Sequence, residues 1–482
     1  MDESSVVVRL EPKEYKSSKL ERRNGGCGVV MKDVLYVWGG ETDKIQPGLE
    51  ELWKLDPSFP LITEPIQLPT LEPSQEDDSR CFACMDEYSL KERVWRHRLT
   101  VGKTPDDIPQ LGRGCQMVEI NGDLYAFSGY NAKMIEKETG SKIRYGIFSR
   151  DVYHLNMATY QWKKLEVEEN EHIPPPLYLC GILGYKGKLC VFGGMTRTER
   201  LCPIGSKKRT RYHLQDGATC KQYGPIKDKY WTNEYFEFDV VKNEWSSPRV
   251  HNRPDPMGVM TFTRIDKNKV VIYAGNYQVR SDDLFIFNFD TKGFTDTLKP
   301  PTPLVWPGKL TFHTATCLVN PDEVGNTIWF GGPRLTQKVL ILWGKDDEEH
   351  ITSDMWVLDI DGDDIENFKW KKLPALEGVK PTAWHIAQPY YTDGVQECIV
   401  LCFGGNSHVN KPTPGSRRHE VNSLRIFEFG VPSLRQLSLM TISSNMSLYD
   451  VRSVDGKTRH QIEQYNYRQG LDTMFPMFAR AK

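Results

Sequence analysis

The chain has no long hydrophobic run and no excess of charge of either sign. No apolar stretch approaches the roughly 20 residues of a membrane-spanning helix, and no basic segment followed by an apolar one opens the sequence, as a secretory signal would. Lys and Arg number 62 against 64 Asp and Glu, a formal net charge of -2. This balance argues against binding of nucleic acid or a membrane through bulk electrostatics.

The cysteines follow no metal-binding or disulfide pattern. There are 11, and Cys190 and Cys402 lie in apolar strand-like runs, so we expect reduced, buried side chains in a cytoplasmic or nuclear protein. Cys81 and Cys84 form one CxxC with His97 further on, but zinc needs two more ligands at suitable spacing. Nothing groups as a nucleophile with a base and an orienting acid. We therefore expect no cofactor, no metal and no enzymatic activity.

What the sequence does contain is a repeat. Six times, an apolar run ends in a pair of small residues, and a second run that alternates apolar and polar residues follows, as in β-strands. The first runs are LYVWGG ending at Gly40, LYAFSG at Gly129, LCVFGG at Gly194, VVIYAG at Gly275, TIWFGG at Gly332 and VLCFGG at Gly405. The second runs are ELWKLD from Glu51, DVYHLN from Asp151, NEYFEFD from Asn233, DDLFIFN from Asp282, DMWVLD from Asp354 and NSLRIFEF from Asn422.

A Trp opens one more strand in the better-kept repeats, at Trp162, Trp245 and Trp370. A pair of small residues followed by a strand, a turn and a Trp is the pattern of a four-stranded propeller blade. Over residues 24 to 440 or so, this repeated pattern resembles that of the kelch family. The resemblance implies an all-β fold, a six-bladed kelch β-propeller of four-stranded antiparallel blades with the Trp filling the wedge between blades. We expect an N-terminal segment over residues 1–23, the propeller over 24–442, and a tail over 443–482 that is disordered or a degenerate adaptor-binding segment.

The first and last repeats are less regular. In the first, we favour ELWKLD as the third strand, with residues 57–90 inserted before Trp95; MDEYSLKERVW, which ends at that Trp, is the alternative. Phe294 stands where the fourth repeat should have its Trp, and the sixth repeat has none. Either VVVRLE near Val6 or the PSLRQLSL run closes the last blade.

Long polar stretches separate the small-residue pairs from the next strands, at residues 131–149, 195–232, 333–352 and 406–422. We expect them to be loops on one face of the ring, where binding residues concentrate. One holds SKKRTRYH at residues 206–213, followed by Tyr223, Tyr230 and Trp231. Such a loop could bind an acidic or carboxylate-bearing peptide, or simply be a solvated basic loop.

Two segments resemble a narrower group, the kelch-domain substrate receptors of elongin and cullin-RING ubiquitin ligases that recognise the C-terminal end of their targets. They are WTNEYFEFDVVKNEW from Trp231 and the last repeat, which has PTAWH at residues 381–385, CFGG at 402–405 and HEVNSLRIFEFGVPSLRQLSL from His419. The resemblance implies protein binding with elongin and cullin subunits as partners. A cytoskeletal or signalling scaffold without a ubiquitin role is the alternative.

The same resemblance implies a site for the terminal carboxylate of the target. Arg280 matches one of the group's arginines, Asn276 replaces the other, and Thr311 takes a hydroxyl position. One arginine can still pair bidentately with a carboxylate. The alternative for Arg280 is a salt bridge between blades, with Asp282 or Asp283.

Aromatic and imidazole side chains complete the implied site. Trp231 matches an aromatic of the pocket, and Trp384 with His385 matches a Trp-His pair at its wall. His313 follows an aromatic at the equivalent repeat position, which suggests a structural role on the inner strand, though near a channel mouth it could touch a ligand. Leu179 stands where the group has a lysine, so the pocket is less basic than in that group.

An elongin-binding motif is expected after the last strand. Leu437, Ser438 and Leu439 begin it, but Ser443 stands at its cysteine position and the following tail is polar. An apolar helical face is difficult to draw through that tail, so the motif has diverged or the adaptor role is lost.

Overall fold

The computed structural model is all-β. It describes residues 7–9, 15–16, 25–40, 61–62, 64, 81–109, 113–136, 142–197, 215, 218–222, 229–276, 279–297, 306–324, 336–360, 368–374, 379–391, 397–407 and 423–430. Across these residues, the one helical element is the 3-10 turn Pro105–Asp107. No helix in the described chain has the length and apolar character needed to cross a membrane.

The described residues form 31 strands, most of them short. In chain order they are β1 Val7–Arg9, β2 Tyr15–Lys16, β3 Cys27–Met31, β4 Val34–Trp38, β5 Leu61–Ile62, β6 Cys81–Ser89, β7 Val94–Gly102, β8 Gln116–Ile120, β9 Asp123–Phe127, β10 Tyr130–Glu136, β11 Lys142–Phe148, β12 Val152–Asn156, β13 Gln161–Lys164, β14 Gly181–Tyr185, β15 Lys188–Phe192, β16 Met195–Thr196, β17 Cys220–Gln222, β18 Tyr230–Thr232, β19 Tyr235–Asp239, β20 Glu244–Ser246, β21 Thr261–Arg264, β22 Lys269–Asn276, β23 Arg280–Asn288, β24 Gly293–Phe294, β25 Thr314–Cys317, β26 Gln337–Leu342, β27 Met355–Ile360, β28 Lys369–Lys372, β29 Ile386–Tyr391, β30 Glu397–Phe403 and β31 Ser423–Gly430.

The main strands pair in successive antiparallel units. Units 3, 4 and 5 are separate sheets in the orders β14-β15-β19-β20, β21-β22-β23-β24 and β25-β26-β27-β28. Units 1 and 2 are β3-β4-β6-β7 and β8-β9-β12-β13, joined into one nine-stranded sheet by a short parallel pairing of β7 with β13 and flanked by β5. Unit 6 is β29-β30-β31 with β1 as its outer strand.

The first strands of the six units form a closed circle. In sequence order β3, β8, β14, β21, β25 and β29 each lie against the next, and β29 lies against β3. Each unit therefore presents its inner strand to a common axis and its faces to its two neighbours.

Packing between units buries both faces of the second strands. Successive side chains of a strand point to opposite faces, and in β15 Leu189 and Val191 join one hydrophobic cluster while Cys190 and Phe192 join another. All four are fully buried. This explains why these strands read as continuous apolar runs.

The fourth-strand aromatic residues fill the spaces between neighbouring units, as predicted from the repeats. Each packs on a residue of the preceding unit with ring centroids about 5 Å apart, an ordinary aromatic contact. The pairs are Trp162 with Trp38 at 5.1 Å, Trp245 with Phe127 at 5.4 Å, Phe294 with Phe192 at 4.9 Å, Trp370 with Tyr273 at 5.2 Å and Trp95 with Phe403 at 4.9 Å. The last pair joins unit 1 to unit 6.

The favoured assignment of ELWKLD as the third strand of the first repeat is wrong. That position belongs to β6, which pairs with β7 from Cys81 opposite Gly102 to Ser89 opposite Val94. A four-residue turn joins these two strands, so the hairpin forms between neighbouring parts of the chain and needs no long loop closure. The alternative reading, MDEYSLKERVW, matches β6 and β7; ELWKLD itself lies outside the described residues.

The fifth small-residue pair is also assigned differently. TIWFGG lies outside the described residues, and β26 takes the second-strand position of unit 5, followed by Trp343 and Gly344 with φ of 51° and 107°. Trp343 occupies a position that is Gly, Ser or Ala in the other units, so the search for small-residue pairs in the sequence did not find it. The predicted loop over residues 333–352 is therefore wrong where β26 lies.

Two other predicted loops contain strands. Within residues 131–149, β10 and β11 form an antiparallel hairpin, and within 195–232, β16, β17 and β18 form a three-stranded sheet. The basic segment 206–213 and Tyr223 lie outside the described residues. At the last unit, Val7 pairs with Gly430 and Arg9 with Glu428, whereas PSLRQLSL lies outside the described part.

Candidate functional site

A ring of residues surrounds one end of a central cavity. The residue at the start of each inner strand segment has a positive φ; these residues are Gly25, Gly114, Leu179, Val259, Phe312 and Trp384. We call them the mouth ring. They line a cavity of about 540 Å³ enclosed by the inner strands. Only Gly adopts this conformation at low cost, so packing between units must impose it on the other four.

Backbone hydrogen bonds connect the mouth ring from unit to unit. The amide of Gly114 donates to the carbonyl of Gly25 at 2.6 Å, and Gly25 donates to Trp384 at 3.2 Å. Trp384 donates in turn to Phe312 at 3.0 Å. These bonds give the end of the cavity a rigid rim on which side chains are positioned.

Trp384 lies on this rim, half-buried. Its ring stacks on Phe312 with centroids 3.9 Å apart and an angle of 17° between the planes. The guanidinium of Arg113 also lies over the Trp384 ring, 5.1 Å from its centroid, a favourable cation–π distance. The predicted wall residue Trp384 therefore contacts both an aromatic ring and a cation.

Arg280 begins β23 beside the rim and forms an ion pair with Glu349 of the next unit. The Arg280 side chain is 10% exposed, whereas Glu349 is 61% exposed. The alternative partners predicted from sequence are wrong: Asp283 instead accepts a hydrogen bond from the Ser281 hydroxyl at 2.7 Å. The salt bridge between units that was the alternative for Arg280 is therefore present, and its acidic partner is the mostly exposed Glu349.

Lys345 is a second cation on the same carboxylate. Its Nζ lies 3.1 Å from Glu349 Oε2. Burial lowers the pKa of Lys345, and the charges of Arg280 and Arg113 lower it further. Arg113, Arg280 and Lys345 therefore form one group of positive charges, which we call the basic cluster.

Repeat symmetry relates Lys345 to Asn276. In unit 5, Lys345 exchanges backbone hydrogen bonds of 2.8 and 3.0 Å with Thr311. In unit 4, Asn276 makes the corresponding pair with Gly258. The sequence reasoning missed Lys345 because it did not identify Gly344 as the small residue of that repeat; each of these side chains directly follows such a glycine.

Two buried polar atoms lie in these paired segments without a hydrogen-bond partner among the described residues. They are Thr311 Oγ1 and Asn276 Oδ1. Leaving a buried polar group unpaired costs roughly 1–3 kcal/mol, and such groups in a folded protein call for an explanation. Both residues were predicted from sequence as part of the site, and both lie next to the basic cluster.

Trp231 lies below the surface. It is 1% exposed and packs with Phe148 and Met195 in a small cluster that Leu179 flanks. A Cβ atom placed on Gly258 would be 2.3 Å from the Trp231 ring. The structure therefore places Trp231 under the backbone that pairs with Asn276, and its ring does not form an open wall.

His313 and His385 line the cavity beneath the mouth ring. The ring nitrogens of His385 lie 2.8 Å from Thr314 Oγ1 in unit 5 and 2.9 Å from the carbonyl of Thr382. Burial lowers the pKa of each histidine to about 3, so both are neutral near pH 7. His385 connects two units and is not exposed on the rim.

Two further predictions concern the adaptor motif and metal binding. Leu437, Ser438 and Leu439 lie outside the described residues. In the part of the chain that the structure covers, no three His, Cys, Asp or Glu side chains come close enough together to hold a metal ion.

A family model described as the "KLHDC2/KLHL20/DRC7 Kelch-repeats domain" matches residues 73–332. The chain belongs to this kelch-repeat family. The resemblance to kelch repeats predicted from the small-residue pairs is thus confirmed. The matched region of this kelch-repeat chain includes Asn276, Arg280 and Thr311, while Lys345 and Trp384 lie beyond it.

Several curated proteins are similar to the chain. Kelch domain-containing protein 1 of Mus musculus is 24% identical over 400 residues, which cover 80% of this chain and 76% of that protein. Its Homo sapiens counterpart has the same identity and coverage. Kelch domain-containing protein 10 of Xenopus laevis is 22% identical over 308 residues, covering 58% and 68%. Among solved structures, "Structure of YjhT" matches with 14% identity and a TM-score of 0.49, covering 84% of this chain and 94% of that one.

Proposed function

We propose that this kelch-repeat chain is a six-bladed β-propeller of four-stranded antiparallel blades that binds the C-terminal end of target proteins on its rim. The closed circle of six inner strands supports the ring. The basic cluster beside that circle supports the choice of ligand, because a polypeptide ends in a carboxylate.

The observation that carries this proposal is the carboxylate of Glu349. It is mostly exposed, yet it is held by both Arg280 and Lys345. Charge-assisted hydrogen bonds to a carboxylate are shorter and about twice as strong as neutral ones. Glu349 therefore occupies the position where an incoming terminal carboxylate would be bound.

The neighbouring polar atoms suit the rest of a peptide end. Thr311 Oγ1 can donate a hydrogen bond to a carboxylate oxygen, and Asn276 Oδ1 can accept one from a peptide amide. The stacked rings of Trp384 and Phe312 offer an apolar surface to a penultimate side chain. A short peptide would thus satisfy the two polar atoms that lack partners.

Peptide binding tests this site directly. An Arg280→Ala variant should bind a C-terminal peptide at least tenfold more weakly than the wild type, while binding of the same peptide amidated stays weak in both. Arg264→Ala is the matched control, because Arg264 also pairs with an exposed acid, Asp322, at 2.9 Å, but lies at the far end of its inner strand. Equal binding of the free and amidated peptides to the wild type would remove the carboxylate from the proposal.

The wider role we propose is that of a substrate-recognition subunit of a cullin-RING ubiquitin ligase in the cytoplasm or nucleus. It is supported by the resemblance of the last repeat to that group and by the motif that begins at Leu437, Ser438 and Leu439. Affinity capture of the full chain should recover elongin and cullin subunits, and substitution of these three residues by Ala should abolish recovery. If the folded wild type recovers neither subunit, a scaffold role without ubiquitin replaces the ligase role.

A further inference from the structure

Two cysteines from different units meet beside the central cavity. Cys27, in β3, and Cys115, just before β8, are 6% and 1% exposed. Their Sγ atoms lie 3.1 Å apart although the residues are 88 positions apart in sequence. One thiol can donate a hydrogen bond to the other at this distance, so the two sulfurs face each other directly.

The surrounding backbone holds this pair in place. The hydrogen bond from Gly114 to Gly25, at 2.6 Å, joins the same two units next to the cysteines. Both sulfurs also approach the carbonyl oxygen of Trp38, at 3.4 Å from Cys27 and 3.7 Å from Cys115. Two inner strands fixed side by side leave the sulfurs little freedom to separate.

The pair differs from the other close cysteines. Cys398 directs its sulfur to the carbonyl of Cys317 at 3.7 Å, and Cys317 donates to the carbonyl of Arg264 at 3.0 Å. Cys180 is buried, and burial raises the pKa of its thiol to about 12. Among the described cysteines, Cys27 and Cys115 form a pair whose sulfur atoms are in direct contact.

We propose that Cys27 and Cys115 are a disulfide modification site that closes between units 1 and 2 when a peroxide oxidises the chain. One sulfur attacks a peroxide oxygen, the O–O bond breaks, and the products are a sulfenic acid and the first water. The second sulfur then attacks the sulfenic sulfur, forms the S–S bond and releases the second water. The two electrons lost by the sulfurs reduce one hydrogen peroxide, and both thiol protons leave in the two waters.

The environment sets how this site reacts. Both residues line the cavity of about 540 Å³, which is large enough for a molecule the size of hydrogen peroxide to enter. The Trp38 carbonyl accepts from the thiols and disfavours thiolates, the reactive form, so oxidation is slow. Once formed, the disulfide is shielded by burial from attack by thiol reductants.

Peptide mapping of the oxidised full chain tests the site. The reduced protein is treated with hydrogen peroxide, denatured, alkylated and digested without reductant. We expect a cross-linked peptide that contains Cys27 and Cys115, and the loss of two of the 11 alkylatable thiols. Separate alkylated peptides after the peroxide has oxidised exposed methionines, or a cross-link of Cys27 to another cysteine, would overturn the proposal.

Variants supply the control. Cys27→Ser and Cys115→Ser should each remove the cross-link, whereas Cys180→Ser should keep it. Because a disulfide that spans 88 residues restricts the unfolded chain, oxidation should raise the unfolding temperature of the wild type and of Cys180→Ser only. If the single variants do not fold, the cross-link map of the wild type decides alone.

Discussion

Glu349 pairs with Arg280 across two neighbouring units, and its side chain is about six times more exposed than that of Arg280, at 61% against 10%. The same carboxylate accepts from Lys345. Because Glu349 is mostly exposed, it is solvated again when it leaves this pair, so an external carboxylate that pairs with Arg280 in its place can displace it at small cost. The pair thus links the packing between units to the site of ligand binding.

Removal of this internal carboxylate should strengthen ligand binding. In Glu349→Gln, a peptide carboxylate no longer competes with an ion pair whose acid is exposed and which contributes up to about 1 kcal/mol, so affinity for a free C-terminal peptide should rise by up to roughly fivefold. Calorimetric titration measures this change. Glu348→Gln, one residue earlier and 79% exposed, is the control, and weaker binding by Glu349→Gln would contradict the displacement.

Binding should depend on pH through Lys345. Its folded-state pKa is lowered by burial and by Arg280 and Arg113, so the ammonium loses its proton at a lower pH than an ordinary lysine, whose pKa is about 10.4. Affinity for a carboxylate should fall as the pH rises through this lowered value. A titration from neutral pH up to the ordinary lysine value measures the loss, and Lys345→Arg, which stays charged, should bind with no such dependence.

The lowered pKa of Lys345 makes folding stability depend on pH in the opposite direction to ligand binding. The unfolded chain holds the proton at pH values where the folded chain has lost it, so the free energy of unfolding rises with pH between the two pKa values. Denaturant unfolding at alkaline pH should show this contribution in the wild type and not in Lys345→Met. An identical pH profile for the two proteins would show that Lys345 is solvated.

Acid should destabilise the protein through Glu237. Burial raises the pKa of this carboxyl, but hydrogen bonds from Lys188 and Lys292 outweigh burial and hold the pKa below its usual value. Its stabilisation is therefore complete above the unfolded pKa of about 4.3 and is lost as the pH falls through the lowered folded value. Glu237→Gln should lower stability at neutral pH by about 1–3 kcal/mol and flatten the acid profile, while Glu244→Gln, on an exposed position of β20, should do neither.

The packing of Trp231 under the backbone that pairs with Asn276 can be tested by substitution of Gly258. A methyl group there would lie 2.3 Å from the Trp231 ring and 2.9 Å from the Leu179 carbonyl, so Gly258→Ala should lower the free energy of unfolding by about 1–3 kcal/mol through overpacking. In Gly293→Ala the nearest atom is 3.5 Å away, and we expect less than half that loss. Thermal unfolding compares the two variants. Equal melting temperatures would show that the Trp231 ring can move to accommodate the added methyl group, and would contradict the prediction.

The repeat architecture could be predicted because it depends on local chemistry. A small residue is needed where φ is positive and the segment leading into the inner strand of the same unit approaches closely, as at Gly194 and Gly275. An aromatic is needed in the wedge between units, as at Trp162. Both requirements recur along the chain, so they appear in the sequence as a period. Trp343 stands where the other repeats have a small residue, so the fifth repeat was assigned to the wrong segment.

Arg280, Asn276 and Thr311 were predicted from the resemblance to the receptor group, and the structure pairs Asn276 with Arg280 across neighbouring strands. The burial of Trp231 could not be predicted, since an aromatic in a loop-rich segment can be exposed or covered with the same local sequence. Whether it is covered depends on Gly258, which comes from another unit.

The kelch-repeat character of this chain is thus contained in residue types at repeated positions, because backbone conformation and side-chain size act over a few neighbouring residues. Tertiary structure alone brought together the carboxylate of Glu349 with Arg280, and the thiols of Cys27 and Cys115. These groups are far apart in sequence, and the distance between them is set by how units pack around the ring, which no local pattern records. The sequence predicts the scaffold, and the closure of the circle decides which of its side chains meet.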